Sequence, residues 1–237
     1  MYKEVNFFEA NKMFTKAAEY FAKSGKIANA AKTYRTMAEA YESELDYPKA
    51  IPLYERAAEL FGLEKHHGQD AFKCNLKVAN LLSVDPDLAA EQDLVKAVKI
   101  FEKVAAKYLE NNLLRHSAKD LWIKVLLIFM LMEDDVGYER SLNKYLDDDP
   151  SLSNNYELKA VKKVHDKYMD KDSDGFSMMT IDWHSKSNLD KWKTNILSAT
   201  KRRIEKRNPP SKKKGGQDED EYDFNDNSDK SDDYNPY

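Results

Sequence analysis

One cysteine in 237 residues, Cys74, excludes an intramolecular disulfide and fits a reducing, cytosolic compartment. Only seven glycines and seven prolines interrupt the chain, which leaves room for long helices. No apolar run approaches the roughly 20 residues needed to cross a bilayer. The stretch Leu121 to Met132 comes nearest, but Lys119 and Asp120 precede it, Lys124 interrupts it and Glu133 closes it. It reads as a buried helix. The opening Met1-Tyr2-Lys3-Glu4 lacks the apolar stretch of a secretory signal. His66, His67, His116, His165 and His184 form no metal-binding spacing with Cys74. A nucleophile elbow, a phosphate-binding loop and a dinucleotide fingerprint are all missing. The expectation is a non-enzymatic protein with no metal or cofactor.

What is present is a 41% hydrophobic composition, enough for a real core, and a charge asymmetry hidden by the net −4. Residues 218–237 carry nine acidic side chains against Lys230. The body before them is mildly basic, so a pooled net charge says little about partners. Lys/Arg runs at 201–207 and 212–214 have no interleaved aromatics and adjoin the acidic end, so no nucleic acid is expected.

Helical periodicity begins near Val5, with Phe7, Ala10, Phe14, Ala17, Ala18 and Phe21 on one stripe. Ser24-Gly25 breaks it. A second helix follows from Ile27 to about Ser43; a third opens at Asp46, tolerates Pro48 in its first turn and stops at Gly62. Counting Ala31 as the first position of a 34-residue repeat, Ala38 and Tyr41 take positions 8 and 11, while Ala50, Tyr54 and Ala57 take positions 20, 24 and 27. This is the small-and-aromatic pattern of a tetratricopeptide-like hairpin. Alanines let helices approach and aromatic rings fill the gaps. A weaker copy places Ala79 and Leu82 on one helix and Ala97, Phe101 and Val104 on the next, with about six extra residues in the loop around 83–87. The bland rival is an alanine-rich bundle with accidental spacing.

Beyond this, a helix from Leu113 to Glu133 is apolar on nearly all sides and is expected at the centre. Shorter helices are expected over 135–146 and 155–168, with a last one over 188–207. Residues 170–187 break the period and read as irregular. Within them, Asp170 to Gly175 imitates the first half of a calcium-binding loop, but its twelfth position is Ile181 instead of a bidentate Glu. A polar turn is the better reading. The fold class is therefore all-α: tetratricopeptide-like hairpins over 1–110, a helical bundle over 111–207 and a basic-then-acidic tail over 208–237.

Four stretches in order carry a resemblance: AAEYFAKSGKIANAAKTYRTMAEAYESELDYPKAIPLYERAAELF, then KCNLKVA, LLRHSAKDLWIK and LDKWKTNIL. Together they resemble the soluble N-ethylmaleimide-sensitive-factor attachment proteins of the alpha/beta type. The resemblance implies an adaptor in vesicular transport. It would coat the SNARE four-helix coiled coil left after membrane fusion and recruit a hexameric AAA ATPase that pulls the coil apart. Family members start with further helices and an apolar membrane-contacting loop that this chain lacks, and they end in a short acidic segment with a penultimate leucine. Here the chain ends Asp232-Asp233-Tyr234-Asn235-Pro236-Tyr237.

By that resemblance the coiled-coil contacts are Lys26, Lys32, Lys73 and Lys77, with Lys119 and Lys124 as further candidates. Lys73 and Lys77 are four apart and so share one helical face. The ATPase contacts map to Glu133, Asp166 and Asp170. Trp192, in a stripe with Leu189, Ile196 and Leu197, is expected in the core. The basic run could offer a weak contact to anionic membrane or pair with the acidic tail, and Ser228 and Ser231 lie in acidic surroundings that suit phosphorylation. Two other readings stay open: a divergent paralogue that binds either partner without promoting disassembly, and a general tetratricopeptide-like scaffold.

Overall fold

The computed structural model describes the backbone of residues 2–207 and the side chains from residue 9 to 207. The acidic end, the lysine run at 212–214, Ser228 and Ser231 lie outside the described residues. Among the described residues ten α-helices follow one another: α1 (Tyr2–Lys23), α2 (Ile27–Ser43), α3 (Tyr47–Gly62), α4 (Gly68–Leu82), α5 (Glu91–Leu109), α6 (Arg115–Met132), α7 (Asp135–Asp148), α8 (Tyr156–Met169), α9 (Ser173–Ser187) and α10 (Lys191–Arg207). A short 3₁₀ turn, Pro150–Asn154, joins α7 to α8. The chain is all-α, with a helical-hairpin arrangement of the tetratricopeptide-like kind.

The tight turns share one construction. In four of them a residue with positive φ is followed by one whose amide donates five residues back. Gly25, Leu45, Glu133 and Lys171 have φ of 75°, 61°, 61° and 56°. The amides of Lys26, Asp46, Asp134 and Asp172 donate to the carbonyls of Phe21, Tyr41, Phe129 and Lys167. These bonds satisfy carbonyls that the helix end leaves open. Three of the four turns then place an Asp as the next cap: Asp46 accepts from the Lys49 amide, Asp134 from Gly137 and Asp172 from Gly175. The calcium-like sequence is thereby explained. It is a helix-to-helix turn, and its Asp172 carboxylate is engaged as a cap.

Residues 173–187 are a regular helix, α9, where the sequence reading expected none. Only Phe176 and Trp183 of this helix are buried, seven residues apart, while Met178 and Ile181 face solvent. Two anchors two turns apart are too sparse to raise a visible period, and packing supplies what the pattern lacks.

Each helix from α1 to α6 packs on its neighbour in sequence. The alanines of the repeat fill these contacts: Ala31, Ala38, Ala50, Ala57, Ala79 and Ala97 are wholly inaccessible, with Tyr54 and Phe101 filling the gaps. The helix α6 is central, buried continuously from Leu121 to Leu131, and touches α5, α7, α8 and α10.

Ion pairs and hydrogen bonds that skip a helix arrange the stack in two layers. On one side Arg35 of α2 meets Asp70 of α4 and Lys77 of α4 meets Glu42 of α2, both across 35 positions. Asn80 of α4 then accepts from Lys124 of α6 at 3.0 Å. On the other side Lys96 of α5 meets Glu55 of α3 at 2.5 Å, and Tyr145 of α7 donates to Glu102 of α5 at 2.8 Å. Even-numbered helices α2, α4 and α6 thus form one layer and odd-numbered α3, α5 and α7 the other. The shared offset of 35 means that α2 and α4 run parallel in a single register.

Candidate partner-binding surfaces

The even layer carries most of the basic candidates. A shallow groove of about 330 Å³ runs between α2 and α4, lined by Arg35, Glu39, Lys73, Lys77 and Asn80 above Tyr54, Cys74 and Leu76. Its charged residues sit at helical spacing on each side, which is why two amphipathic helices leave them facing one another. Lys73 is exposed and forms no ion pair among the described residues, acting on Asp70 only through its field. Lys77 is exposed but engaged: its Nζ donates to both carboxylate oxygens of Glu42, at 2.7 and 3.0 Å. The Tyr54 hydroxyl donates to the same carboxylate at 2.5 Å, and burial followed by this bond pushes the phenol well above its usual range. Cys74 lies beneath them, its thiol pushed up to about 11 by burial, and so is a packing group and not a nucleophile.

Lys26 and Lys32 are also exposed and make no ion pair among the described residues. Lys32 stands at the start of the α2 stripe that continues through Arg35, Glu39 and Glu42, whereas Lys26 is the residue before α2 and lies off it. The structure therefore brings Lys32, Lys73 and Lys77 to one layer, with Lys26 at its edge.

The two further lysines are committed elsewhere. Lys119 is half-buried and bonds Ser151 at 2.6 Å, with Asp149 at 3.5 Å. Lys124 is 9% exposed; its ammonium bonds Asn80 and sits 4.9 Å from the Trp192 ring and 5.6 Å from that of Phe101. Burial lowers its pKa, and the rings and amide take the place of water around the charge. Lys124 is corrected from a surface contact to a packing residue. Helical position alone could not reveal this, because α6 is enclosed on every side. Trp192 is likewise less enclosed than expected: half-buried, it donates its indole N–H to Ser83 at 2.9 Å and meets Phe101 edge-on.

The acidic candidates gather at one end of the helices. Glu133 closes α6 and pairs with Arg207 at the end of α10. Asp166 is exposed in the last turn of α8, and Asp170 caps that helix, 3.7 Å from Lys167. A small cleft of about 120 Å³ joins these segments, lined by Glu133, Asp135, Tyr168, Met169, Lys171 and Arg207. Tyr168 is pushed up to about 12 by burial and by its bond to Asp135. The ends of α6 and α8 and the start of α7 therefore present carboxylates together beside Arg207 of α10, although the candidates are far apart in sequence.

Sequence reasoning missed the group that fixes α10. Lys193 is 5% exposed and its Nζ donates to Asp120 at 2.7 Å and to Glu157 at 3.0 and 3.2 Å. Burial opposes its charge, but the two carboxylates outweigh that and hold its pKa above the usual value. The signal lay in the motif LDKWKTNIL, where Lys193 follows Trp192 on an inward stripe. The neighbouring basic run is also consumed within the fold: Lys201 pairs with Glu205, Arg202 with Asp87 and Arg203 with the Leu131 carbonyl.

Residues 1–205 match the family model described as soluble NSF attachment protein. The chain belongs to the soluble NSF attachment protein family. It is 32% identical to the beta-soluble NSF attachment protein of Bos taurus over 86% of this chain and 66% of that protein. The alpha-soluble NSF attachment protein of Dictyostelium discoideum is 31% identical over 84% of this chain and 66% of its own length. That of Homo sapiens is 31% identical over 86% and 67%. The chain thus spans about two thirds of the length of these attachment proteins. Among the described residues no helix is long and apolar enough to cross a membrane, and no cluster of His, Cys, Asp and Glu is arranged to hold a metal.

Proposed function

We propose that this chain is a non-enzymatic adaptor that lies along a SNARE four-helix coiled coil and presents it to a hexameric AAA ATPase. Family membership supports the pathway, since the relatives are named as NSF attachment proteins. The observation that carries the grip is Lys73: an exposed ammonium over an apolar-floored groove on a layer of parallel helices, with no carboxylate partner among the described residues. Lys32 and Lys26 extend the positive surface, and Lys77 joins it when an acidic partner competes for its ammonium with Glu42. Long lysines suit a smooth, repetitive acidic rod because they attract charge without demanding fork geometry. Lys119 drops to an edge role and Lys124 leaves the set.

Residues 1–110 act as the gripping part and 111–207 as the presenting part, with Glu133, Asp166 and Asp170 at the end offered to the ATPase. Any contact with anionic lipid falls to the lysines at 212–214, because the arginines of α10 already hold α6 and the α4–α5 loop. One rival is a divergent relative that binds the coil or the ATPase without promoting disassembly. Mixing the protein with coiled coil and ATPase and recording complex formation together with strand release separates the two. Binding with release supports the adaptor; binding without release selects the rival; no binding to either component defeats both.

A further inference from the structure

The odd layer carries a second groove that the coiled-coil reading does not use. Two hollows, about 390 and 660 Å³, adjoin along α5 and share Val95 and Lys99. The floor is apolar: Val98 and Phe129 are 6% and 8% exposed, and Val95 and Met132 are partly open. Two of the three carboxylates on the walls are engaged, and Glu91, which lines only the larger hollow, is exposed. Glu102 accepts from the Tyr145 hydroxyl and faces Lys144 at 3.6 Å, while Asp134 caps the Gly137 amide. Lys99 and Arg140, on opposite walls, are exposed and form no ion pair among the described residues. An apolar floor between two uncompensated cations fits an acidic segment bearing aromatic side chains.

This chain contains one. Residues 218–226 read DEDEYDFND, with Tyr222 and Phe224 two apart and acids on both sides. In an extended segment such a pair projects to one side. The last turn of α10 lies near one end of the groove, in the adjoining cleft that holds Glu133. Arg207 pairs with Glu133, whose sequence neighbours Met132 and Asp134 both line the groove. The fifteen residues from Arg207 to Tyr222 reach up to about 50 Å when extended, far more than that span requires. We infer that the acidic segment 218–226 docks in this odd-layer groove, with Tyr222 and Phe224 on the apolar floor and its carboxylates beside Lys99 and Arg140. The inference does not rest on the adaptor reading, since it concerns the opposite layer and involves no SNARE or ATPase.

The full-length protein is treated in dilute solution with a carbodiimide, which joins a lysine amine to a nearby carboxylate, and linked peptides of the monomer are identified by mass spectrometry. The expected product joins Lys99 to an acid within 218–226. Its yield falls roughly tenfold in a Tyr222→Ser/Phe224→Ser variant that keeps every charge, because attraction without the aromatic anchors is diffuse and screened. An Arg140→Glu variant, which leaves the reacting Lys99 amine in place, lowers the yield similarly. Tail acids linked equally to exposed lysines all over the surface, or chiefly to Lys32 and Lys73, overturn the proposal. So does a Lys99 link found only in a covalent dimer, which makes a second copy's tail the occupant. An unchanged yield in the serine variant overturns it too.

Discussion

The stack α1–α5 and the helices around α6 to α10 are held together by opposite means. In the stack, inaccessible alanines set a close helix spacing, and polar cross-links such as Lys77–Glu42 and Lys96–Glu55 lie at the surface with their partners half-exposed. In the second region buried rings stack face to face and charges go inside as well. Trp122 stacks on Tyr145 with centroids 4.9 Å apart, Tyr138 on His165 at 3.7 Å, and Lys193 is closed between two carboxylates. Small residues repeated at fixed intervals make a surface that extends by translation. Large interlocking residues make a unique body that holds its ends in one arrangement.

That contrast breaks most readily by changing size in each region. Trp183→Ala, emptying a site that is 1% exposed, should cost about 3–5 kcal/mol in denaturant unfolding. In the stack, Ala57→Leu should cost about 1–3 kcal/mol by forcing α3 away from its neighbours. Equal costs would mean that the two regions pack alike. Lys193→Met removes the charge while keeping the bulk, and leaves Asp120 and Glu157 unpaired. Since both carboxylates are partly open to water, a loss of about 2 kcal/mol is expected, against under 1 kcal/mol for the surface change Lys77→Met.

The two regions also differed in how far the sequence disclosed them. The stack was legible because Ala31, Ala38, Ala50, Tyr54 and Ala57 repeat at spacings that only close helix packing explains, and Gly25 and Asp46 mark its turns. The helix α9 was hidden because Phe176 and Trp183 alone anchor it. The basic face was partly legible: Lys73 and Lys77 do share an exposed face, as their spacing requires. Their inequality was not, because Glu42 comes from another helix. Lys124 misled for the same reason, its surroundings being supplied by Asn80, Phe101 and Trp192 from three other helices.

Turns provide a finer comparison. Gly25 and Leu45 occupy the same left-handed position with φ of 75° and 61°, yet only one of them has the residue suited to it. Leu45 is 69% exposed, so Leu45→Gly should leave packing untouched and raise stability by up to about 1 kcal/mol. Gly25→Ala, where an added Cβ meets nothing within 4 Å, should lower it by about 1 kcal/mol through backbone strain alone. Opposite signs in thermal unfolding check the shared construction.

The smallest effect concerns pH. Burial between Tyr138 and Tyr168 lowers the His165 pKa below its ordinary 6.5, against the opposing pull of Glu139, Asp135 and Asp166. In the window between that lowered value and 6.5 the unfolded chain binds a proton that the folded chain does not. Stability should therefore fall as pH drops from 6.5 through the folded value and then level off. His165→Gln should flatten this slope in denaturant titrations at several pH values.

The most direct measurement compares the two layers as grips. Binding of a SNARE four-helix coiled coil is titrated at low salt with Lys73→Glu on α4 and Lys103→Glu on α5, both exposed and identical in charge change. The even-layer account predicts roughly tenfold weaker binding for Lys73→Glu, diminishing as salt is added, and near-native binding for Lys103→Glu with helicity unchanged in both. Equal losses, or a larger loss for Lys103→Glu, would contradict it.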